Sequence, residues 1–221
     1  MTGDAPVRLA VFDCDGTLVD GQAPVCDAME RAFAEAGLPA PDRHEVRRIV
    51  GLSLPQAVHR LAPDAPPQQR ADAVEHYKHA FRSARERGEV AEPLFEGMAD
   101  LLERLRADGW SLAVATGKSR RGLDHCLAAH GLSGHFASLQ AADGNPSKPD
   151  PAMLLAALAE ADAEPGDAVM IGDTSYDMEM ARAAGVRAIG VAWGYHDEAT
   201  LRAAGASAIA ADADELRGLI G

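Results

Sequence analysis

The run Leu9-Ala10-Val11-Phe12-Asp13-Cys14-Asp15-Gly16-Thr17-Leu18 decides how this chain is read. Four successive apolar residues have the length of a strand buried on both faces, and they stop at two carboxylates and a glycine. Similar runs recur at Leu112–Ala115, Val169–Ile171 and Ile189–Ala192, with weaker candidates at Phe136–Ala142 and Ala208–Ala210. Amphipathic stretches separate them. Met98, Leu101, Leu102 and Leu105 follow helical spacing, as do Leu154, Leu155 and Leu158 within Pro151–Asp162. This alternation predicts an α/β fold built on a Rossmann-like, doubly wound parallel sheet, whose ligands bind beyond the carboxyl ends of the strands.

One interval breaks the alternation. Between Phe12 and Leu112 the segments Gln22–Ala36, Glu45–Val50, Leu54–Leu61 and Gln68–Arg87 all carry helical patterns, punctuated by Gly37, Pro39, Gly51 and Pro63 to Pro67. A crossover of this length is too long for one helix and too patterned for a loop. Residues 20–90 are therefore expected to form an inserted all-helical module, and residues 1–19 and 91–221 the core that carries it.

Composition narrows the function. The 221 residues carry a formal net charge of -13, which argues against nucleic acid or an anionic membrane as partner, since both need a basic surface. An anionic substrate would then need a locally positive site. Cys14, Cys26 and Cys126 are odd in number and lack CxxC spacing, so neither a disulfide framework nor a zinc site is expected. The apolar stretch from Met1 through Val7 to Phe12 is too short for a signal peptide, and no run approaches ~18 apolar residues. A cytoplasmic location is the expectation.

Polar segments punctuate the ends of the buried runs. They are Asp13-Cys14-Asp15-Gly16-Thr17, Thr116-Gly117-Lys118, Ser147-Lys148-Pro149-Asp150-Pro151 and Gly172-Asp173-Thr174-Ser175-Tyr176-Asp177. In a parallel sheet they converge on one rim. Asp13, Asp15, Asp173 and Asp177 brought together need a cation, and hard oxygen donors with room for water and phosphate suit Mg²⁺. Lys148 adds a fixed positive charge, while Thr116 and the Gly117 amide add neutral donors for phosphate oxygens.

These four segments, in this order and with a helical insert directly after the first, resemble the haloacid dehalogenase superfamily, in particular its helical-cap phosphatases of the phosphoglycolate-phosphatase-like branch. The resemblance covers nearly the whole chain. It implies that Asp13 is the nucleophile and that Asp15 protonates the leaving alcohol, then deprotonates the attacking water. It implies further that Thr116, Gly117 and Lys148 hold phosphate, and that Asp13, Asp173 and the backbone carbonyl of Asp15 hold Mg²⁺. Asp177 then acts around the metal, or through a metal-bound water. Position 15 discriminates within the superfamily: dehalogenases carry tyrosine there, phosphonoacetaldehyde hydrolases alanine and P-type ATPases threonine. An aspartate selects phosphatases and phosphomutases.

Several residues keep an ordinary alternative. Thr116 also suits a helix N-cap, and Asp177 a helix-start charge. Lys118, Arg120 and Arg121 either edge the site or occupy an exposed first turn. The charge run at Arg85 to Arg87 suits a solvated helix face, and the eight dispersed histidines suit surface or cap positions. Between two cap helices, the resemblance assigns Arg47-Arg48-Ile49-Val50-Gly51-Leu52-Ser53 to a substrate-reading loop. Arg47 there meets a second anionic group or stays on the surface; Gly51 makes a tight turn; Ser53 touches substrate or caps the next helix.

The expected activity is hydrolysis of a small phosphorylated metabolite through an aspartyl-phosphate. A phosphomutase of the β-phosphoglucomutase type is the alternative, lowered by Val25 at the position where that branch has histidine. A non-catalytic module would show a damaged motif, whereas Asp13, Asp15, Thr116, Lys148 and Asp173 are all present. No feature marks a subunit interface.

Overall fold

Leu9, Ala10, Val11 and Phe12 form strand β1, fully buried because a parallel strand lies on each side of it and a helical layer on each face. The computed structural model describes residues 6–221; residues 1–5, the start of the expected core segment 1–19, lie outside the described residues. The other strands are β2 (Ser111–Ala115), β3 (Ser138–Gln140), β4 (Ala168–Gly172), β5 (Arg187–Val191) and β6 (Ala208–Ala210). Their order is β3-β2-β1-β4-β5-β6, with every pair parallel. The chain leaves β1 toward β2 on one side and returns at β4 on the other. The order therefore reverses at β1, where such sheets open a binding crevice. The expected run Phe136–Ala142 shortens to the three residues of β3, which pairs only with β2 at the sheet edge.

Helices α1 (Gln22–Glu35), α2 (Arg43–Arg48), α3 (Leu54–Leu61) and α4 (Pro67–Glu86) fill the interval before β2. They enclose an apolar cluster of their own, with Val25, Met29 and Phe33 from α1, Val46 from α2, Val58 from α3 and Val74 from α4. Helix α2 begins two residues earlier than its periodicity predicts. The Asp42 side chain caps it by accepting the N–H groups of His44 (2.7 Å) and Glu45 (3.2 Å). Ile49 and Val50 fall in the turn that follows, which closes at Gly51 with φ 98°.

The remaining helices are α5 (Met98–Ala107), α6 (Arg120–Ala129), α7 (Ala152–Ala161), α8 (Ser175–Ala183), α9 (Glu198–Ala204) and α10 (Ala213–Ile220). Strand pleating sorts them into two layers. Ala10 and Phe12 face Leu102 of α5, Leu123 of α6 and Leu216 of α10, whereas Leu9 and Val11 face Met153 of α7, Met178 of α8 and Leu201 of α9. Leu155, read with the inward stripe of α7, is 46% exposed, because Met153, Leu154, Ala157 and Leu158 complete that face without it. No described helix is long and apolar enough to cross a membrane.

Candidate active site

Register delivers the polar segments to one place. Phe12 lies level with Val114 of β2 and Ile171 of β4, so the residues that follow emerge side by side. Asp13 extends the ladder by donating its N–H to Ile171 O (2.9 Å), and Thr116 donates to Gln140 O (3.0 Å).

Asp13 is fully buried. Its Oδ1 accepts the Cys14 N–H (2.6 Å) and lies 2.9 Å from Lys148 Nζ, while its Oδ2 is buried without a hydrogen-bond partner. Lys148, also fully buried, donates to Asp177 Oδ1 at 2.7 Å. The other oxygen of Asp177 accepts the Thr174 N–H (3.1 Å) and hydroxyl (2.7 Å), a capping box that opens α8. Asp173 accepts the Thr17 hydroxyl at Oδ1 (2.8 Å) and the Tyr195 N–H at Oδ2 (2.9 Å). Carboxylate oxygens of Asp13, Asp173 and Asp177 all lie within 4.8 Å of one another.

Three buried carboxylates against one buried ammonium leave this cluster short of positive charge. Burial, aided by the charge of Asp177, pushes the Asp13 carboxyl up to about 7, although Lys148 pulls it down. Burial, then Asp13 and Asp177, push Asp173 well above the usual carboxylate range. Burial works against the Lys148 ammonium, yet Asp13 and Asp177 hold its pKa above the ordinary lysine value. A hard divalent cation fits this donor set, and the partnerless Oδ2 of Asp13 is the acceptor it would satisfy. Asp13, Asp173 and Asp177 are the residues that could hold one. Both oxygens of Asp173 accept hydrogen bonds, from Thr17 and Tyr195, and both oxygens of Asp177 are engaged by Lys148 and Thr174.

Asp15 turns the other way. Its Oδ1 is buried and stands 2.9 Å from Lys118 Nζ, at an angle that is not a hydrogen bond. Thr116, 1% exposed, accepts the Lys118 N–H at its hydroxyl (3.2 Å). Gly117 meets the helical insert: a Cβ there would come within 2.5 Å of Gly51 O and 2.6 Å of Leu52 O. The insert thus closes directly over the loop after β2.

The model of the haloacid dehalogenase-like hydrolase family matches residues 10–191 of this arrangement. The chain belongs to that family. Among its relatives is "Probable phosphatase IndB" of Dickeya dadantii, 36% identical over 199 residues that cover 89% of this chain and 86% of that one. A plasmid-encoded phosphoglycolate phosphatase of Cupriavidus necator is 31% identical over 220 residues, 99% of this chain and 95% of that one. The crystal structure of a predicted phosphatase from Clostridium acetobutylicum superposes with a TM-score of 0.86 at 25% identity, covering 98% of this chain and 99% of that one.

The helical insert of this haloacid dehalogenase-like hydrolase is docked by backbone as much as by side chains. Ser53 stands at the N-cap position of α3 without a side-chain capping bond, and its N–H donates to Ser147 Oγ (2.8 Å). The Arg48 carbonyl accepts Nε2 of His196 (3.0 Å) and the Tyr176 hydroxyl (3.3 Å). Arg47 stays exposed. Gly51 is buried and packs toward Thr174.

Lys118, expected to edge the site or to occupy an exposed first turn, takes the first place, and other residues here escape sequence reasoning. Lys118 is no surface lysine: its side chain is 8% exposed, between Asp15 and Glu92. Burial alone would lower its pKa, but Asp15, Cys14 and Glu92 together hold it well above the ordinary value. Arg120 and Arg121 are exposed, as a first helical turn predicts. His196 joins core to cap, with Nδ1 accepting the Ser175 N–H (3.0 Å). Trp193 donates its indole N–H to Thr17 O (3.2 Å), and Tyr195 anchors Asp173. One signal could have found this last group. Trp193-Gly194-Tyr195-His196 follows β5 at the same strand rim as every motif that was read.

Proposed function

We propose that this chain is a Mg²⁺-dependent phosphomonoesterase that transfers the phosphoryl group of a small metabolite to Asp13 and then hydrolyses the aspartyl-phosphate. The observation that carries the reading is Asp13 itself: a buried carboxylate at the strand end, with one oxygen beside Lys148 and the Cys14 N–H and the other without a protein partner, where a cation would sit. Bound Mg²⁺ supplies charge balance to the carboxylates and electrostatic stabilisation to the phosphoryl oxygens. Asp13 and Asp173 hold it, with the Asp15 carbonyl, while Asp177 keeps Lys148 in place. Thr116, Gly117 and Lys148 bind the phosphate, and Lys148 offsets charge as the group moves. Asp15 gives its proton to the departing ester oxygen and takes one from the attacking water.

Residues 20–90 act as a cap that shuts water out and reads the leaving group, with Gly51 and Ser53 at the contact line and Arg47 outside it. The Cupriavidus relative's name supports a small phosphorylated acid, and a sugar phosphate suits the same chemistry. Val25, at the position where the mutase branch has histidine, packs beside Cys26 and Met29 and brings no titratable group, which favours hydrolysis over mutation. The three free thiols suit a reducing cytoplasm.

Phosphate release from p-nitrophenyl phosphate with Mg²⁺ tests the reading. Asp13→Asn is expected to abolish release while leaving the fold intact, and EDTA to abolish it in the unaltered protein. Full activity in Asp13→Asn would sink the mechanism; chelator-resistant turnover would sink the metal assignment.

A further inference from the structure

Glu92 lies in the segment 87–97 that leads from α4 back to the core, yet its side chain is only 8% exposed. Each of its carboxylate oxygens has a different cation. Oε1 accepts Lys118 Nζ at 2.8 Å, from the loop after β2, and Oε2 accepts Arg85 Nη2 at 3.0 Å, from the last turn of the cap helix α4. The same Lys118 ammonium stands 2.9 Å from Asp15 Oδ1. The Phe81 ring covers both cations, with Arg85 at 5.0 Å and Lys118 at 5.8 Å from its centroid.

Both chain crossings between cap and core pass this point. Asp20 donates its N–H to Pro93 O (2.9 Å), tying the two linkers together, and a Cβ at Gly21 would lie 2.8 Å from Asp15 Oδ1 and 3.8 Å from Glu92 Oε1. The charge chain Arg85–Glu92–Lys118–Asp15 therefore spans the hinge: its first member moves with the cap and its last belongs to the catalytic loop.

We propose that Glu92 is a positioning residue that couples cap closure to Asp15 by holding Lys118 against one oxygen of that carboxylate. The proposal rests on the reading of Asp15 as the group that protonates the leaving oxygen. Lysine carries three rotatable donors on a flexible stem, so alone it does not define an orientation. Glu92 fixes one donor and Arg85 fixes Glu92, which holds the Lys118 ammonium 2.9 Å from Asp15 Oδ1 as an ion pair. That arrangement reserves the second oxygen of Asp15 for the proton. With the cap open, Arg85 is withdrawn and the chain slackens. Asp15 is thus aligned only when the substrate is enclosed.

The test is leaving-group dependence, which a merely structural role would not move. Phenyl phosphates graded in the acidity of their phenol keep the ring in the cap constant while changing the need for a proton. The quantity to follow is kcat/KM, which reports the step in which the ester oxygen departs. Glu92→Gln is expected to lower kcat/KM toward phenyl phosphate by about 10–100-fold, and toward p-nitrophenyl phosphate by less than about 3-fold. The plot of log kcat/KM against phenol acidity then steepens. Glu92→Asp is expected to recover part of the loss. Lys118→Met, which keeps the Arg85–Glu92 pair, is expected to show the same split and serves if Glu92→Gln does not fold. Parallel lines for variant and unaltered protein, whether through equal loss on every ester or none, would overturn the proposal. Asp13→Asn runs beside them. If it is inactive and the lines are parallel, only the coupling fails; if it stays active, or the unaltered protein cleaves no member of the series, the phosphatase reading falls with it.

Discussion

Lys148 is the residue on which the charge balance of the site turns. It is the buried cation between Asp13 and Asp177, and its removal leaves two carboxylates desolvated with no compensating charge. Lys148→Met is expected to destabilise the metal-free protein at pH 8 by about 3–5 kcal/mol, the usual cost of breaking a buried ion pair from one side. Urea unfolding in EDTA measures it; a loss near zero would mean that the carboxylates are already relieved by another cation. Its place at the rim was legible because Lys148 precedes a proline at a helix start, ahead of a strand that ends in an acid. Glu92 was not legible, since nothing adjacent to it marks burial, and Lys118 was legible only as one of two alternatives, a site edge or an exposed first turn. Each becomes an interior residue only when a cap helix about 30 positions away in sequence from Lys118 folds over it.

At the scale of elements, the decisive contact is the turn after α2 against the loop after β2. Gly117 tolerates the Gly51 and Leu52 carbonyls only because it has no Cβ. Gly117→Ala is expected to leave the sheet and its two apolar layers intact but to hold the cap off the core. The expected signs are faster limited proteolysis in residues 88–93 and a fall in kcat/KM of at least roughly 10-fold, since a displacement near 1 Å costs up to about 100-fold. Unchanged proteolysis with unchanged kcat/KM would remove this contact from the closing machinery. Element boundaries followed local chemistry where local chemistry governs. The span of α3 matched its periodicity, whereas α2 shifted because the Asp42 cap outweighed the apolar pattern. The single-residue misreading of Leu155 has the same origin: three leucines within five positions fit a helical stripe, and only packing shows which one faces out.

For the whole molecule, the buried acids make stability depend on pH and metal together. Asp13 has an ordinary value of 3.8 and is raised to about 7 in the folded, metal-free protein. Its contribution to stability is therefore complete below about pH 4 and is lost as pH rises toward 7, because the folded state must then hold an unwanted charge. Mg²⁺ competes with the proton for that carboxylate. Its stabilisation should accordingly be larger at pH 7.5 than at pH 5. At an ion concentration about 100-fold above Kd the gain is about 2.7 kcal/mol, a rise of roughly 5–10 °C in Tm for a chain of this size. Thermal melts with and without Mg²⁺ at the two pH values check it, and an equal shift at both would exclude Asp13 as the linked group.

The sequence by itself determined the sheet, its parallel sense and the meeting of Asp13, Lys148 and Asp173. Buried strands declare themselves by unbroken apolar runs, and parallel strands by necessity present their carboxyl ends at one rim. Only the tertiary structure decided which oxygen of Asp13 is free, that Asp177 is spent on Lys148 and Thr174, and that Arg47 stays outside. It alone brought Glu92, Lys118, Tyr195 and His196 to the junction of core and cap. The physical reason is that these outcomes depend on how one domain-sized body closes on another, and on which buried charge finds which partner. The 2.7 Å between Lys148 and Asp177 is set by packing within the core, and the 3.0 Å between His196 and Arg48 by the meeting of insert and core, neither by any neighbour in the chain.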